Sequence, residues 1–303
     1  MKQNKNTPKV ACFGEVLWDM LPGGKRIGGA PLNVAYHLNK LGTKAAIISR
    51  VGQDEHGNDI VRFINQSGIE DSVLQVDAIH STSHVEVTIN EKKEATYDII
   101  NNVAWDFIDW NEAVNKIAAE VEYIVFGSLV MRSKVSGNTL VRLLNIVPFK
   151  IFDVNLRTPF YSREIIQILL EKTDIVKMNE EELKIISQWF YHPSGIQESM
   201  ESLLNMFSLK NIIVTSGAKG AHLQSKDHYL FVDGYKVTVV DTVGSGDAFL
   251  AGFISQFIRG APLAASLEIA NKMGTFIAQK PGGCPDYTLS EMEEFKINSF
   301  NQI

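Results

Sequence analysis

Two cysteines in 303 residues, Cys12 and Cys284, leave little room for redox or metal chemistry at sulfur. They are far apart and lack a CxxC or Cys/His spacing, so neither a disulfide framework nor a structural zinc site is expected. Long apolar runs are missing too. No stretch approaches the roughly 18 apolar residues that a membrane span needs. The lysine-led N-terminus, MKQNKNTPKVACFGEVLWDM, is no signal peptide, because Glu15 and Asp19 interrupt its short apolar stretch. A basic excess is absent: the formal net charge is −6 and the basic residues are scattered. Nucleic acid and anionic membranes are therefore poor partners, and a cytoplasmic protein is the expectation. Neither GxxxxGKS/T nor GxGxxG after a strand occurs, which disfavours a Walker-type NTPase and an NAD-binding Rossmann domain. Ser245 sits in GSG, which does not give the GxSxG elbow of an α/β hydrolase. The histidines, His37, His56, His80, His84, His192, His222 and His228, show no metal-ligand spacing and read as surface or loop residues. Internal repeats, low-complexity tracts and linkers are lacking, so residues 1–303 read as one domain.

What is present is a rhythm. The apolar fraction of 45% suits a globular protein with a sizeable core. KVACFG (9–14), KAAIISRVG (44–52), EYIVFGSL (122–129), FKIFDVN (149–155), DIVKMN (174–179) and NIIVTSG (211–217) are apolar runs ending in small or polar residues, as buried strands do. Between them lie helix signals: Pro31 opening an amphipathic stretch that closes at Gly42, then Glu180–Phe190 and Asp247–Arg259. Alternating strands and helices predict an α/β fold, a doubly wound, mostly parallel sheet flanked by helices.

Two stretches depart from this rhythm. His84–Asn90 and Glu94–Ile100 alternate polar and apolar residues around a turn at Asn90–Lys93, which predicts a half-exposed hairpin. With the turn-rich Leu17–Ile27 they form a small β-sheet lid of about residues 17–29 and 81–104. A second hairpin is expected at 229–232 and 235–240 around Asp233–Gly234. Trp105 and Trp110 either cover the lid hinge or simply pack.

Ligands of such sheets bind beyond the carboxyl ends of the strands. The segment richest in chemistry is DTVGSGDAFLAGF, Asp241 to Phe253. Gly244, Ser245 and Gly246 let the backbone turn tightly before a helix, so N–H groups and the helix dipole make an anion site. Asp247 stands where that helix begins. The same residues would serve an ordinary N-cap. A phosphoryl-transfer enzyme, however, needs this pairing of anion site and carboxylate, the latter taking the acceptor hydroxyl's proton. The helix dipole should depress the pKa of Asp247. IGGAPLNVA (27–35) is a double glycine running into a helix, where Asn33 can donate to and accept from hydroxyls. Asp19, just after the first strand, could accept two hydroxyls. The acids Glu180–Glu182 also suit a solvated helix start.

Gly28–Gly29 with Asn33, and DTVGSGD, resemble the two signature regions of the ribokinase-type (PfkB family) carbohydrate kinases. GEVLWDMLP (14–22), SRVGQDEHG (49–57), KMNEEEL (177–183) and VTSGAKGA (214–221) resemble further family stretches in the right order, so the likeness spans nearly the whole chain. It implies a ribokinase-like fold that transfers the γ-phosphate of ATP to a monosaccharide. Asp247 would be the general base, with Gly244, Ser245 and Gly246 as the anion hole. Asp19, Gly28, Gly29 and Asn33 would hold the sugar, with Arg157 available to it. Asn179 and Glu182 would organise Mg2+ through water. Thr215, Gly217 and Gly220 would line the ATP site, with Asn271 near the adenine. Asp241 and Val243 mark the family's monovalent-cation position, K+ being the expected ion. GGAP, AWD (104–106) and DVNLR (153–157) are closest to bacterial fructokinases. Ser245, where alanine is common, and the Pro281–Cys284 turn depart from the usual spelling. The resemblance further implies sugar binding first, lid closure before transfer, and homodimers paired through the lid. Ribose, 2-keto-3-deoxygluconate or a nucleoside stays open as acceptor, as does a non-catalytic sugar sensor.

Overall fold

The computed structural model describes residues 9–21, 24–89, 95–190 and 195–295. The expected turn at Asn90–Lys93 and His192 lie outside them. An eight-stranded sheet runs in the order Tyr229–Asp233, Gly220–Ser225, Asn211–Thr215, Ile175–Asn179, Phe149–Asp153, Tyr123–Gly127, Val10–Phe13, Ala45–Ile48. From Ala45–Ile48 to Asn211–Thr215 all neighbours are parallel, and the last two strands turn back antiparallel.

Parallel strands are covered on both faces, which explains why Val10–Phe13 and Ala45–Ile48 are buried at every position. Successive side chains feed opposite layers. Val10 and Cys12 join a core with Leu32, Phe253 and Leu267, whereas Ala11 and Phe13 join a second with Leu140, Leu143 and Ile186. In sequence the chain passes from Val10–Phe13 to a neighbour on one side, then to Tyr123–Gly127 on the other. The strand order reverses there, so a crevice opens at the carboxyl ends of these strands.

A separate four-stranded sheet is ordered Gly24–Gly28, Leu17–Leu21, Ser83–Ile89, Ala95–Ile99. Two of its strands come from the alternating stretches and two from the turn-rich stretch that begins at Leu17. Leu17–Leu21 pairs parallel with Ser83–Ile89, and the other pairs are antiparallel.

Three expectations need correction. Residues 44–52 are not one strand. Ala45–Ile48 stays in the main sheet, while Arg50–Gly52 leaves it to pair with Gln75–Asp77. The Ser49 hydroxyl, donating to the Gly14 carbonyl at 2.6 Å, holds that corner. Nor do residues 229–240 form a hairpin. Tyr229–Asp233 pairs with the preceding Gly220–Ser225, and the tight turn lies at Ser225–His228, where His228 N–H donates to Ser225 Oγ at 3.1 Å. Gly234 N–H donates to the Lys219 carbonyl and extends that pairing by one step, after which the chain leaves the sheet. Val239 and Val240 are left 55% and 62% exposed. Finally, His37 is neither a surface nor a loop residue: it is wholly buried in the helix Ala30–Lys40. Trp105 is also fully buried, with the Arg132 guanidinium 3.9 Å from its ring centroid, so packing is its role.

Among the described residues, no helix is long and apolar enough to cross a membrane.

Candidate active site

The crevice holds a cavity of about 470 Å³. Its floor comes from the carboxyl ends of the parallel strands: Glu15, Leu129, Asp153, Asn155, Lys177, Asn179 and Thr215. One wall is the start of the helix Ala30–Lys40, and another is the glycine turn before the helix Ser245–Phe257. The small sheet closes the cavity with Leu17, Asp19, Val85 and Ile99.

Asp247 and Asn33, 214 positions apart in sequence, meet here. Asn33 Nδ2 donates to Asp247 Oδ2 at 2.8 Å, which orients the carboxylate and leaves Oδ1 for another donor. Gly244 makes the turn possible with φ +74, a left-handed conformation that L side chains rarely adopt. A side chain there would also strike the backbone of Gly283. Gly29 has φ +108, and a Cβ on it would collide with the Glu15 carbonyl. Both glycines are needed because two backbone segments approach closely.

The electrostatics differ from expectation in one respect. The pKa of Asp247 is raised to about 6, not depressed. Loss of solvation is the main cause, and the neighbouring Asp153 adds to it; Lys177, Asn33 and Arg157 pull the other way. Burial and a nearby like charge outweigh the helix terminus. Asp19 is likewise raised to about 6 by desolvation and by Asp241. Glu15, only 4% exposed, is raised to about 7, again chiefly by burial. One of its oxygens accepts from Ala30 N–H at 3.3 Å, and the other has no hydrogen-bond partner among the described residues.

Beside these acids lies a buried ion pair. Lys177 Nζ donates to both oxygens of Asp153, at 2.8 and 3.1 Å. The ammonium also sits 3.0 Å from where a Cβ on Gly246 would be, so that glycine keeps the lysine next to the turn. Arg157, exposed at the cavity mouth, donates to the Leu156 carbonyl at 3.1 Å.

Asn179 and Glu182 form a reciprocal cap on the helix Glu180–Phe190. Asn179 Oδ1 accepts from Glu182 N–H at 2.9 Å, and Glu182 Oε2 accepts from Asn179 N–H at 2.9 Å. Glu182 Oε1 accepts from Leu156 N–H at 2.8 Å. With a backbone donor already on each oxygen, this pair fits a hydrated divalent cation held through water rather than a directly ligated one. Asp241 also serves the backbone. Its Oδ1 accepts from Val243 N–H at 3.0 Å, and its Oδ2 accepts from Gly282 N–H at 2.9 Å and from Arg26 Nη1 at 3.2 Å.

Of the residues singled out by sequence, Asp19, Gly29, Asn33, Arg157, Asn179, Glu182, Thr215, Val243, Gly244, Gly246 and Asp247 line this one cavity. Gly28, Asp241, Ser245, Gly217, Gly220 and Asn271 do not. Gly28 lies against the Asp19 carboxylate, and Ser245 turns its hydroxyl to the Thr242 carbonyl at 3.0 Å. Gly217 follows the strand Asn211–Thr215, and Gly220 packs against the Val232 carbonyl. Asn271 donates to the Asp233 carbonyl at 2.8 Å. Glu15, Asp153 and Lys177 were not assigned from sequence. Asp153 closes its strand, which was a usable signal, whereas Lys177 is the middle residue of Ile175–Asn179, and their pairing depends on strand order.

Residues 5–288 match the family described as pfkB family carbohydrate kinase. The chain is 27% identical over 312 residues to the probable chloroplastic fructokinase-6 of Arabidopsis thaliana, covering 93% of this chain and 80% of that protein. Its fold is shared with the Vibrio cholerae O395 fructokinase solved with fructose, ADP and calcium ion: TM-score 0.81, 22% identity, 96% of this chain and 99% of the other. It is shared equally with the Salmonella enterica aminoimidazole riboside kinase complexed with aminoimidazole riboside and an ATP analog: TM-score 0.80, 21% identity, 94% and 98% covered. A glycine turn opening onto an aspartate, at the mouth of a polar crevice in a ribokinase-like sheet, is thus accompanied by a family match over nearly the full length, and the chain belongs to the pfkB family of carbohydrate kinases.

Proposed function

We propose that this carbohydrate kinase is an ATP-dependent fructokinase. The observation that carries the reading is the Asn33–Asp247 contact of 2.8 Å at the start of the glycine-turn helix, inside the cavity that also holds Asp19 and Gly29. The sugar lies between Asp19, Gly28, Gly29 and Asn33, its hydroxyls donating to Asp19 and exchanging hydrogen bonds with the Asn33 amide. Asn33 holds one oxygen of Asp247, and the other takes the proton of the attacking hydroxyl. A pKa of about 6 leaves Asp247 ionised at neutral pH yet more basic than a solvated aspartate.

The N–H groups of the turn Gly244–Gly246 face the charge that spreads over the transferred phosphoryl oxygens. Lys177 supports that field from beneath the turn, and Arg157 approaches from the mouth. Thr215, Gly217, Gly220 and Asn271 form the nucleotide side, with Asn271 fixing the chain near the adenine. Asn179 and Glu182 would hold Mg2+ through water, and the ion, when bound, neutralises phosphate charge during transfer. The small sheet acts as the lid, bringing Asp19 onto the sugar and excluding water. Its edge strands, Gly24–Gly28 and Ala95–Ile99, suit pairing in a homodimer, and the setting is cytoplasmic.

Glu15, Asp19 and Asp247 face the sugar region together. Three acids favour a neutral polyol, whose hydroxyls donate to them, over a sugar acid, whose carboxylate they repel. The fructokinase likeness of the Arabidopsis and Vibrio proteins supports fructose among neutral sugars.

The test is a coupled ADP-release assay with ATP and Mg2+ against fructose, ribose, 2-keto-3-deoxygluconate and adenosine, run beside Asp247→Ala. Fructose-dependent turnover that falls by about 10³ or more in the variant is expected. Turnover with another acceptor alone overturns the sugar assignment, and undiminished turnover in the variant overturns the base.

A further inference from the structure

Arg26 lies on the lid strand Gly24–Gly28, directly opposite Asp19 in the antiparallel register. Opposed residues share a face of a sheet, so the nearest acid for Arg26 would be Asp19 itself. Its guanidinium instead reaches Asp241, 215 positions away, with Nη1 3.2 Å from Oδ2. That carboxylate also accepts Val243 N–H, at the entry to the glycine turn, and Gly282 N–H, in the turn after the helix Leu263–Ile277. One side chain thus joins three segments that are remote in sequence.

The stem of Arg26 is part of the same arrangement. Gly282 has φ +78, and a Cβ on it would come 3.0 Å from Arg26 Cδ, so the arginine lies flat over that turn. The next residue, Gly283, packs against the backbone of Gly244 and against the Asn33 amide. Its carbonyl lies 2.9 Å from His37 Nε2. Because a carbonyl can only accept, Nε2 carries the proton, and Tyr287 O–H donates to Nδ1 at 3.0 Å. A continuous path therefore runs from the lid to the reaction centre: Arg26 to Asp241, to the Gly282–Gly283 turn, to Gly244 and Asn33, to Asp247.

Asp241 is also where the family resemblance places a monovalent cation. A carboxylate already carrying three donors, one of them a guanidinium, fits such an ion poorly, since a second cation beside Arg26 would be repelled. We propose that Arg26 is a positioning residue that latches the lid to the phosphoryl-binding turn, its guanidinium standing at Asp241 in place of a monovalent cation. The pair is 40% and 21% exposed, so its worth to overall stability is small and its effect is on the order of the turn. The latch acts on the transfer step and so rests on the fructokinase reading.

The experiment compares wild type, Arg26→Met, which keeps the stem over Gly282, and Arg26→Ala. Rates with fructose and ATP are measured in tetramethylammonium and in K+ buffers, and Arg26→Ala is also assayed with millimolar guanidinium. Wild type should change less than twofold with K+. Arg26→Met should lose tenfold or more in kcat/KM for sugar with an unchanged melting temperature and should regain part of it in K+. Guanidinium should partly restore Arg26→Ala. Amide hydrogen exchange of residues 241–246 and 282–284 should speed up in Arg26→Met whether or not sugar is present. A wild-type rate that rises tenfold with K+, or an Arg26→Met variant with native rates, overturns the proposal. If wild type turns over no sugar the kinase reading fails, and unchanged exchange in Arg26→Met then overturns the latch on its own.

Discussion

Replacing Asp247 by asparagine should make the protein inactive and more stable at once. Its carboxyl titrates at about 6 in the fold, against 3.8 for an ordinary aspartate. At about 1.4 kcal/mol per pH unit, that difference is about 3 kcal/mol. Asp247 retains some accessible surface towards the cavity, so screening by solvent reduces the figure to about 2 kcal/mol. The sign follows from linkage: a folded pKa above the unfolded one means that the protonated carboxyl favours the fold, and that advantage is lost as the pH rises through 6. Asparagine resembles the protonated form and keeps an oxygen for the Asn33 donor. The gain should therefore develop between pH 4 and 6 and be complete above that. In a chain of this length about 2 kcal/mol corresponds to a rise of about 4 °C in melting temperature at pH 7.5, and to about a third of that at pH 4.5. Turnover should fall by about 10³ or more. Thermal scans at the two pH values, with rates on the same preparations, decide the matter. No stabilisation at pH 7.5, or an equal gain at both, would refute a desolvated Asp247; an active asparagine variant would refute the base.

The pH profile of kcat/KM for sugar should show an acid limb with an apparent pKa between 6 and 7. Glu15, Asp19 and Asp247 lie together with raised values, so the limb belongs to the set rather than to one group; a rate flat down to pH 5 would contradict this. Gly29→Ala should destabilise the fold by about 2 kcal/mol or more, read as a lower melting temperature, because φ is +108 and the new Cβ meets the Glu15 carbonyl. Lys177→Met should destabilise by about 3–5 kcal/mol by leaving Asp153 buried and unpaired. Adding Asp153→Leu should recover much of that in denaturant titrations, and failure to recover would show that the lysine does more for the fold than neutralise its partner.

What could be read from sequence was what is local. The helix Ala30–Lys40 announces itself by Pro31 at its start and Gly42, with φ +76, just after its end. The turn Gly244–Gly246 needs no distant partner to be a turn. The alternation in His84–Asn90 and Glu94–Ile100, against the continuous runs elsewhere, was enough to set these stretches apart, and the strands Ser83–Ile89 and Ala95–Ile99 lie in a second sheet. What escaped was the choice between local options and distant ones. Asp233–Gly234 is a good hairpin turn, yet the strand before it found Gly220–Ser225 first. Histidine in a helix reads as solvated until Tyr287 and Gly283 arrive from 250 and 246 positions away. The charge of Asp247 was misjudged for the same reason: the helix terminus is visible in sequence, while the surrounding packing and Asp153 are not.

The reciprocal cap between Asn179 and Glu182 bears on how such chains are recognised. The pair starts a helix correctly whether or not a metal or nucleotide ever comes near it. Selection for folding alone would retain it. A descendant of this fold that had ceased to phosphorylate anything would still carry that spelling, and its presence in a genome says that the helix begins there. Evidence of living catalysis has to be sought instead in residues that the scaffold would be better off without, and an acid whose removal makes the protein more robust is of that kind.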